Sequence, residues 1–263
     1  LKRIVIPEGV RSIREKTFCE CTALQEIRLP DGLELIGRSA FSECEALQEI
    51  RLPDGLKEIG SDAFSGCRSL RQITVPVGVK CIETAVFQSC RALQEVHLPE
   101  GLEQIGMFAF EDCDTLTRIV LPASLKRLCR GAFENCTSLL EAQLPDGLEE
   151  LQDDAFEYCR SLQKVTIPAQ VRQIERAAFY YCQSLQEVQL PEELNEIGED
   201  AFAHCWALKR IVIPAGVEKV GEHAFWECYS LQNIAVLSDD TEIAEDAFED
   251  CPGTVKRGTG SLF

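Results

Sequence analysis

A period of 23 residues runs through the chain and restricts its possible folds more than any other feature. One proline and one phenylalanine recur in each period, without insertion or deletion. The prolines are Pro7, Pro30, Pro53, Pro76, Pro99, Pro122, Pro145, Pro168, Pro191 and Pro214, and Leu237 takes the eleventh place. The phenylalanines are Phe18, Phe41, Phe64, Phe87, Phe110, Phe133, Phe156, Phe179, Phe202, Phe225 and Phe248, each followed three residues later by a cysteine. A fixed period of about 20 to 50 residues predicts a solenoid whose repeats pack on their neighbours.

The repeat that begins at Pro30 indicates how one unit folds. Proline lacks an N–H group and fixes φ, so it ends a strand, and Asp31–Gly32 supplies turn residues. Gly37 then permits a sharp bend, and from Ala40 to Leu47 apolar side chains recur at helical spacing. Ile50–Leu52 alternates apolar and polar residues, which is typical of a half-buried strand. Each unit is therefore predicted to contain a strand, a turn and a short helix.

Stacking of these units predicts the fold class. A single unit cannot bury its apolar face alone, so neighbours stack and their strands form a parallel sheet. Strands pack about 4.8 Å apart, whereas packed helices need about 8–10 Å. We therefore predict an α/β repeat solenoid: a right-handed, curved coil with the parallel sheet on its concave face and short helices on its convex face.

The repeats resemble those of the BspA-like leucine-rich-repeat family, whose units read approximately L-P-x-x-L-x-x-I-x-x-x-A-F-x-x-C-x-x-L-x-x-I-x. The resemblance covers nearly the entire chain and is specific for the fold rather than for one function. It implies surface-exposed or secreted bacterial proteins that act in adhesion and bind host-surface or matrix proteins. The fourteen cysteines favour a reducing setting as the alternative, and hence the cytoplasm.

The period also predicts the domain organisation. Residues 1–263 are interpreted as one leucine-rich-repeat domain of about eleven repeats. Residues 1–6 are a partial first repeat, 237–257 a degenerate, cap-like last repeat, and 258–263 a flexible tail. In the last repeat Thr254 stands where leucine is expected. Because the sequence begins inside a repeat, a signal peptide or anchor could lie outside it, and none is evident within it.

Charge excludes several classes of partner. The chain has 44 acidic and 26 basic residues, which give a formal net charge of −18. Nucleic acid and anionic membranes are therefore unfavourable partners. No apolar run approaches the roughly 20 residues of a membrane span. We expect no membrane insertion and a monomer.

The cysteines and histidines are the residues most able to form a catalytic or metal site in this sequence. Eleven cysteines, from Cys21 to Cys251, occupy the repeat position and are predicted to be small buried hydrophobes, too far apart on a wide convex side to form disulfides. Three others lie where most repeats carry polar residues or glycine, and are predicted to be exposed: Cys19, Cys81 and Cys129. The histidines His97, His204 and His223 share no catalytic or metal-binding spacing. The sequence predicts no catalytic, cofactor or metal site.

A first candidate surface for a protein partner is the outward side of the predicted sheet. The candidate residues in one column are Arg28, Arg51, Thr74 and His97, and those in the flanking column are Glu26, Glu49, Gln72 and Glu95. Such a platform suits protein contact better than a closed small-molecule pocket. The alternative is a solvated sheet face with cross-strand ion pairs.

A second candidate is a group of outward-facing rings, which we call the aromatic patch. It contains every tyrosine and both tryptophans of the chain, namely Tyr158, Tyr180, Tyr181, Trp206, Trp226 and Tyr229. His204 is predicted to lie among these rings. Exposed aromatic clusters are typical of partner or sugar contacts. The alternative is that the rings only pack on each other or on a neighbouring domain.

These observations favour a non-catalytic, adhesin-like binding module that contacts a protein through its sheet. A structural scaffold or spacer within a larger protein is the first alternative. A carbohydrate-binding module that uses the aromatic patch is the second.

Overall fold

Each repeat forms one coil that contributes two short strands. The computed structural model describes residues 2–258. The first strands of the coils form what we call the first sheet: β1 (Arg3–Val5), β3 (Glu26–Arg28), β5 (Glu49–Ile50), β7 (Gln72–Thr74), β9 (Glu95–His97), β11 (Arg118–Val120), β13 (Glu141–Gln143), β15 (Lys164–Thr166), β17 (Glu187–Gln189), β19 (Arg210–Ile213), β21 (Asn233–Val236) and β23 (Thr254–Arg257). The others form the second sheet: β2 (Ser12–Ile13), β4 (Leu35–Ile36), β6 (Glu58–Ile59), β8 (Cys81–Ile82), β10 (Gln104–Ile105), β12 (Arg127–Leu128), β14 (Glu150–Leu151), β16 (Gln173–Ile174), β18 (Glu196–Ile197), β20 (Lys219–Val220) and β22 (Glu242–Ile243).

All strand pairs are parallel, and the register follows the sequence period. Ile4 lies opposite Ile27, and Ile105 lies opposite Leu128. The first sheet is interrupted after β5, β9 and β17, and the second after β6 and β14. One repeat therefore makes one coil, and equivalent side chains form columns along the solenoid.

The predicted helices are absent: residues 2–258 contain strands and turns but no helical segment. In the segment around Phe41, Ser39 has φ 51° and Glu43 has φ 57°. These left-handed residues recur in the other coils and interrupt the right-handed run that an α-helix requires. Successive turns instead join Cys44 N to Phe41 O (3.1 Å) and Leu47 N to Cys44 O (3.0 Å). Turns that advance three residues bury every third side chain, which imitates helical spacing.

The turn segments form a ladder of their own, which we call the turn ladder. The N–H of each phenylalanine from Phe18 to Phe225 donates to the carbonyl of the residue that precedes the next phenylalanine, with N···O distances of 2.8–2.9 Å. This ladder is unbroken from the first coil to the last, although both sheets are interrupted. It is therefore the most continuous backbone connection in the described chain.

Phenylalanine rings fill the core behind the turn ladder. Neighbouring rings are stacked, with centroids 5.0–5.7 Å apart and interplanar angles of at most 17°. The rings from Phe41 to Phe225 are fully buried, whereas Phe18 and Phe248, in the end coils, are half-buried. Full burial of such a ring contributes roughly 1.5–3 kcal/mol to stability.

The ring spacing also bears on the reason given for the predicted curvature. The prediction required helices spaced by about 8–10 Å on the outside, but the turn side is spaced within about 1 Å of a β-sheet. Strong curvature is therefore not required by wide spacing on the turn side. The argument that the repeat cysteines lie too far apart to form disulfides assumed that wide spacing, and it loses its basis as well. All fourteen thiols are nevertheless free.

The repeat cysteines have a specific role in joining coils. Each thiol from Cys44 to Cys251 donates to the carbonyl of the phenylalanine 26 residues before it, with S···O distances of 3.1–3.4 Å. Alanine would fit this position but could not donate this bond. The small buried residue that the sequence predicts is thus also a weak hydrogen-bond donor.

The last coil departs from the period. Strand β23 pairs with β21, with Asn233 opposite Thr254 and Ile234 opposite Val255. The offset is 21 residues, so Thr254 does not take the core position of Leu231. Of the tail 258–263, only Gly258 is among the described residues. Within residues 2–258 there is no apolar helix of membrane-spanning length.

The exposure of the cysteines differs from the prediction. Cys129 is buried, while Cys19, Cys21, Cys81 and Cys251 are half-buried. Cys129 replaces the bend glycine and is covered by the adjoining coils, whereas Cys21 and Cys251 lie in end coils with one neighbour each.

Thiol labelling should follow these environments. We expect Cys19, Cys21 and Cys251 to react first, because they are half-buried and lie in the end coils. The neighbouring Cys228 side chain also lowers the pKa of Cys251. Cys81 should react later, because desolvation and the Glu83 carboxylate raise its pKa to about 12. Timed alkylation followed by peptide mass spectrometry measures this order. Equal rates for Cys19 and a fully buried thiol would show that the burial scheme is wrong.

Candidate functional site

The outward side of the first sheet carries two columns of side chains, which we call the sheet face. Arg28, Arg51, Thr74 and His97 are exposed in one column, and Glu49, Gln72 and Glu95 are exposed in the other, where Glu26 is half-buried. Val5 and Val120 add apolar surface, at 70% and 64% exposure. The first column ends before the last coils, because Val212 is half-buried and Ala235 is fully buried.

Ion pairs join neighbouring coils across the sheet face. Glu26 lies 3.3 Å from Arg3 and 3.5 Å from Arg28. Further along, Glu187 accepts from Lys164 and Arg210, and these two cations hold its carboxyl pKa below the usual range. Exposed pairs of this kind add little stability. They hold charged groups in fixed positions, which gives the surface a defined pattern.

Three open depressions lie along the sheet face. The first, of about 470 Å³, includes Arg28 and Arg51 in its lining. The second, of about 600 Å³, is lined in part by His97 and Val120. The third, of about 480 Å³, is lined in part by Lys164. Open depressions in a row suit protein loops or an extended chain better than an enclosed small molecule.

The aromatic patch lies outside the first sheet, in the turn segments. Tyr181 is central: its ring centroid is 5.3 Å from that of Tyr158, 4.4 Å from that of His204 and 5.7 Å from that of Trp206. Tyr180 and Trp226 border the same histidine, at 5.2 and 4.7 Å. The structure thus brings together every ring of the predicted group.

Most of these rings cover one another. Tyr158, Tyr180, Tyr181 and Trp226 are half-buried. The exposed rings are Trp206 (36%) and Tyr229 (53%), whose centroids are 6.3 Å apart. The accessible part of the patch is therefore this pair, supported by the rings beneath it.

His204 is the buried centre of the patch. It is 5% exposed, and its Nδ1 forms no hydrogen bond with any of the described residues. This atom lies 3.0 Å from Oε2 of Glu227, within ion-pair distance but without the alignment of a hydrogen bond. Glu227 was not predicted from the sequence, although it stands one period after His204 in the same column.

Two glutamates lie in the turn segments beside the patch. Burial raises the pKa of Glu134 and of Glu157 to about 7, with smaller contributions from neighbouring carboxylates such as Asp154. In the folded chain these groups hold protons that an unfolded chain releases near pH 4.3. Their contribution to stability is therefore full at low pH and is lost as the pH rises through about 7.

Replacement of both glutamates should remove this pH dependence. We expect the Glu134→Gln, Glu157→Gln variant to have a higher Tm than the wild type at about pH 8, and a smaller difference at about pH 5.5. Thermal unfolding followed by circular dichroism measures both values. Glu8→Gln, at an exposed position, is the control. A gain that is the same at both pH values would show that titration is not its cause.

The histidine, cysteine and acidic side chains do not converge on a common point in the described chain. Among residues 2–258, no group of three or more histidine, cysteine, aspartate or glutamate side chains converges as a metal site would require. The histidines lie apart, with His97 on the sheet face beside Glu95 (3.1 Å) and His223 beside Asp246 (3.3 Å).

Comparison with known proteins identifies the family. The profile of the BspA type leucine rich repeat region matches six copies, over residues 1–114, 57–185 and 149–256. The chain belongs to this family. As a BspA-type protein it is similar to a leucine-rich repeat protein from Bacteroides ovatus, with 29% identity and a TM-score of 0.69 over 98% of this chain and 78% of that one. No curated protein matches it.

Two further solved structures share the BspA-type solenoid. One is a leucine rich cell surface protein from Faecalibacterium prausnitzii, with 30% identity and a TM-score of 0.62 over 99% of this chain and 80% of that one. The other is the pneumococcal vaccine antigen PcpA, with 21% identity and a TM-score of 0.62 over 99% of this chain and 69% of that one. The latter likeness concerns the fold alone.

Proposed function

We propose that this BspA-type chain is a non-catalytic, adhesin-like module that binds a protein partner through the sheet face. The observation that carries the proposal is the row of three open depressions beside exposed, coil-ordered side chains. The expected partner is a host-surface or matrix protein, and the expected location is the cell surface or the medium. The cell-surface relative from Faecalibacterium prausnitzii supports that location.

The arrangement of charge supports a protein partner. Arginine and glutamate lie side by side in the first coils, where Glu26 is within ion-pair distance of both Arg3 and Arg28. A mixed pattern of this kind favours a partner with complementary charges over a uniformly charged polymer. Exposed valines between the charged groups add the apolar contact that a stable interface requires.

The test uses a panel of purified extracellular-matrix and host-surface proteins. We expect saturable binding of the wild-type chain to a panel member, and loss of that binding in the Arg28→Glu, Arg51→Glu variant. The matched control is Arg14→Glu, Lys16→Glu, which makes the same change in net charge at exposed positions outside the sheet face. Equal loss in both variants would contradict a role for the sheet face. No binding across the panel would favour a scaffold or spacer.

A further inference from the structure

The aromatic patch offers a second surface that is independent of the sheet face. We propose that it binds arginine side chains of a partner protein, with a guanidinium group over the exposed rings of Trp206 and Tyr229 and beside the carboxylate of Glu227. Because the patch lies in the turn segments, this inference stands or fails separately from the proposed function.

The geometry of the rings is preformed. Trp206 packs on Tyr181 on one side and lies beside Tyr229 on the other. A ligand that stacks on them need not order these side chains first, which reduces the entropic cost of binding. A guanidinium group over an aromatic ring gains about 0.5–2 kcal/mol, depending on its solvation.

The chain contains an internal example of this contact. The guanidinium carbon of Arg160 lies 5.7 Å from the ring centroid of Tyr158, at the edge of the patch. Trp206 and Tyr229 follow Arg160 in the same column, two and three periods later. In those coils a ring takes the place of the arginine, and among the described residues no guanidinium group lies over Trp206 or Tyr229, so both rings are open to stacking by an arginine of a partner.

The surroundings of the patch are strongly acidic. The acidic residues in the turn segments of the last five coils are Asp153, Asp154, Glu157, Glu199, Asp200, Glu222, Glu227, Glu245, Asp246, Glu249 and Asp250. The arginines in the same segments are Arg160 and Arg176. Arg176 is already paired with Asp154 at 3.2 Å. The local field therefore attracts cations and repels anionic glycans and a second copy of this chain, whose net charge is −18.

Glu227 supplies the specific polar partner. Its carboxylate touches His204 Nδ1 without an aligned hydrogen bond and keeps capacity to accept one. Glu227 lies in the same turn as Tyr229, whose N–H donates to the Glu227 carbonyl oxygen at 2.9 Å. A hydrogen bond with the Glu227 carboxylate also raises the pKa of Tyr229 to about 12. A guanidinium group presents donors in a planar fork, which suits simultaneous stacking and pairing with a carboxylate.

Intrinsic fluorescence gives a direct readout, because both tryptophans of the chain lie in the patch. The probe is a short glycine–arginine peptide with blocked ends, and its matched control carries citrulline, which is neutral and nearly the same shape. We expect the arginine peptide to change the tryptophan fluorescence saturably at about physiological salt. An added arginine-rich protein should compete with the peptide for the patch. The citrulline peptide should bind at least about tenfold more weakly.

Variants separate specific binding from general charge attraction. We expect Glu227→Gln to weaken arginine-peptide binding about tenfold. The Trp206→Leu, Tyr229→Phe double variant, whose binding is measured by calorimetry, should weaken it to the same extent. Glu20→Gln, at the same repeat position in the first coil and exposed, should leave binding unchanged. Equal weakening by Glu20→Gln would overturn the proposal in favour of nonspecific attraction. A response to neutral oligosaccharides but not to the arginine peptide would overturn it in favour of a glycan site, and a response to neither would show rings that only pack on each other.

Discussion

Replacement of Phe110 by alanine is expected to lower the free energy of unfolding by about 3–5 kcal/mol. The ring is fully buried, and its centroid lies 5.3 Å from those of Phe87 and Phe133. Truncation leaves a cavity between two flat rings that the turn ladder holds apart, since the Phe110 N–H is bonded to the next coil at 2.9 Å. The coils cannot close the gap without breaking that bond. Denaturant unfolding measures the loss.

The matched control for this prediction is Phe18→Ala. Phe18 has the same position in the first coil, but it is half-buried and has a ring on one side only. We expect Phe18→Ala to lower the free energy of unfolding by less than about half as much as Phe110→Ala does, because less apolar surface returns to water. If the two substitutions cost the same, the stacked rings do not form a core of the kind described.

Removal of both arginines that surround Asp154 should lower the free energy of unfolding by about 3 kcal/mol at about pH 8. The Asp154 side chain is 4% exposed and lies 2.9 Å from Arg130 and 3.2 Å from Arg176. In the Arg130→Met, Arg176→Met variant the carboxylate stays buried without a counter-ion. Because such a group takes up a proton at lower pH, the loss should be smaller at about pH 5. Denaturant unfolding at the two pH values measures it.

A third substitution provides the control for the arginine pair. Adding Asp154→Asn to the double variant removes the stranded charge and should restore more than half of the lost stability. Arg38→Met, which breaks a pair with the half-exposed Asp62, should change stability by less than about 1 kcal/mol. An unchanged loss after Asp154→Asn would mean that packing of the arginine stems, rather than charge, accounts for the effect.

The sequence predicted the coil but not the conformation of its turn side. The period places Phe41, Cys44 and Leu47 inside correctly, because a spacing of three residues buries the same side chains in a helix and in successive turns. The difference lies in Ser39 and Glu43, whose left-handed φ values are not evident from serine and glutamate. Those values are stabilised by hydrogen bonds to the next coil, a tertiary effect that no single repeat contains.

The candidate surfaces were predictable to different degrees. The period alone groups Tyr158, Tyr181 and His204 in one column, and the structure brings their rings into contact. The depth of His204 was not predictable, because it depends on how Tyr180 and Trp226 cover it from neighbouring coils. Likewise, Cys129 looked exposed by position and is buried by the coils beside it.

The most direct test of the account combines binding and stability in one variant. Arg28→Glu with Arg51→Glu changes only exposed side chains of the sheet face. We predict that each substitution changes the free energy of unfolding by no more than about 0.5 kcal/mol. Saturable binding to the partner found in the panel should be lost in the same variant. Retained binding in this stable variant would contradict the proposal that the sheet face is the contact surface.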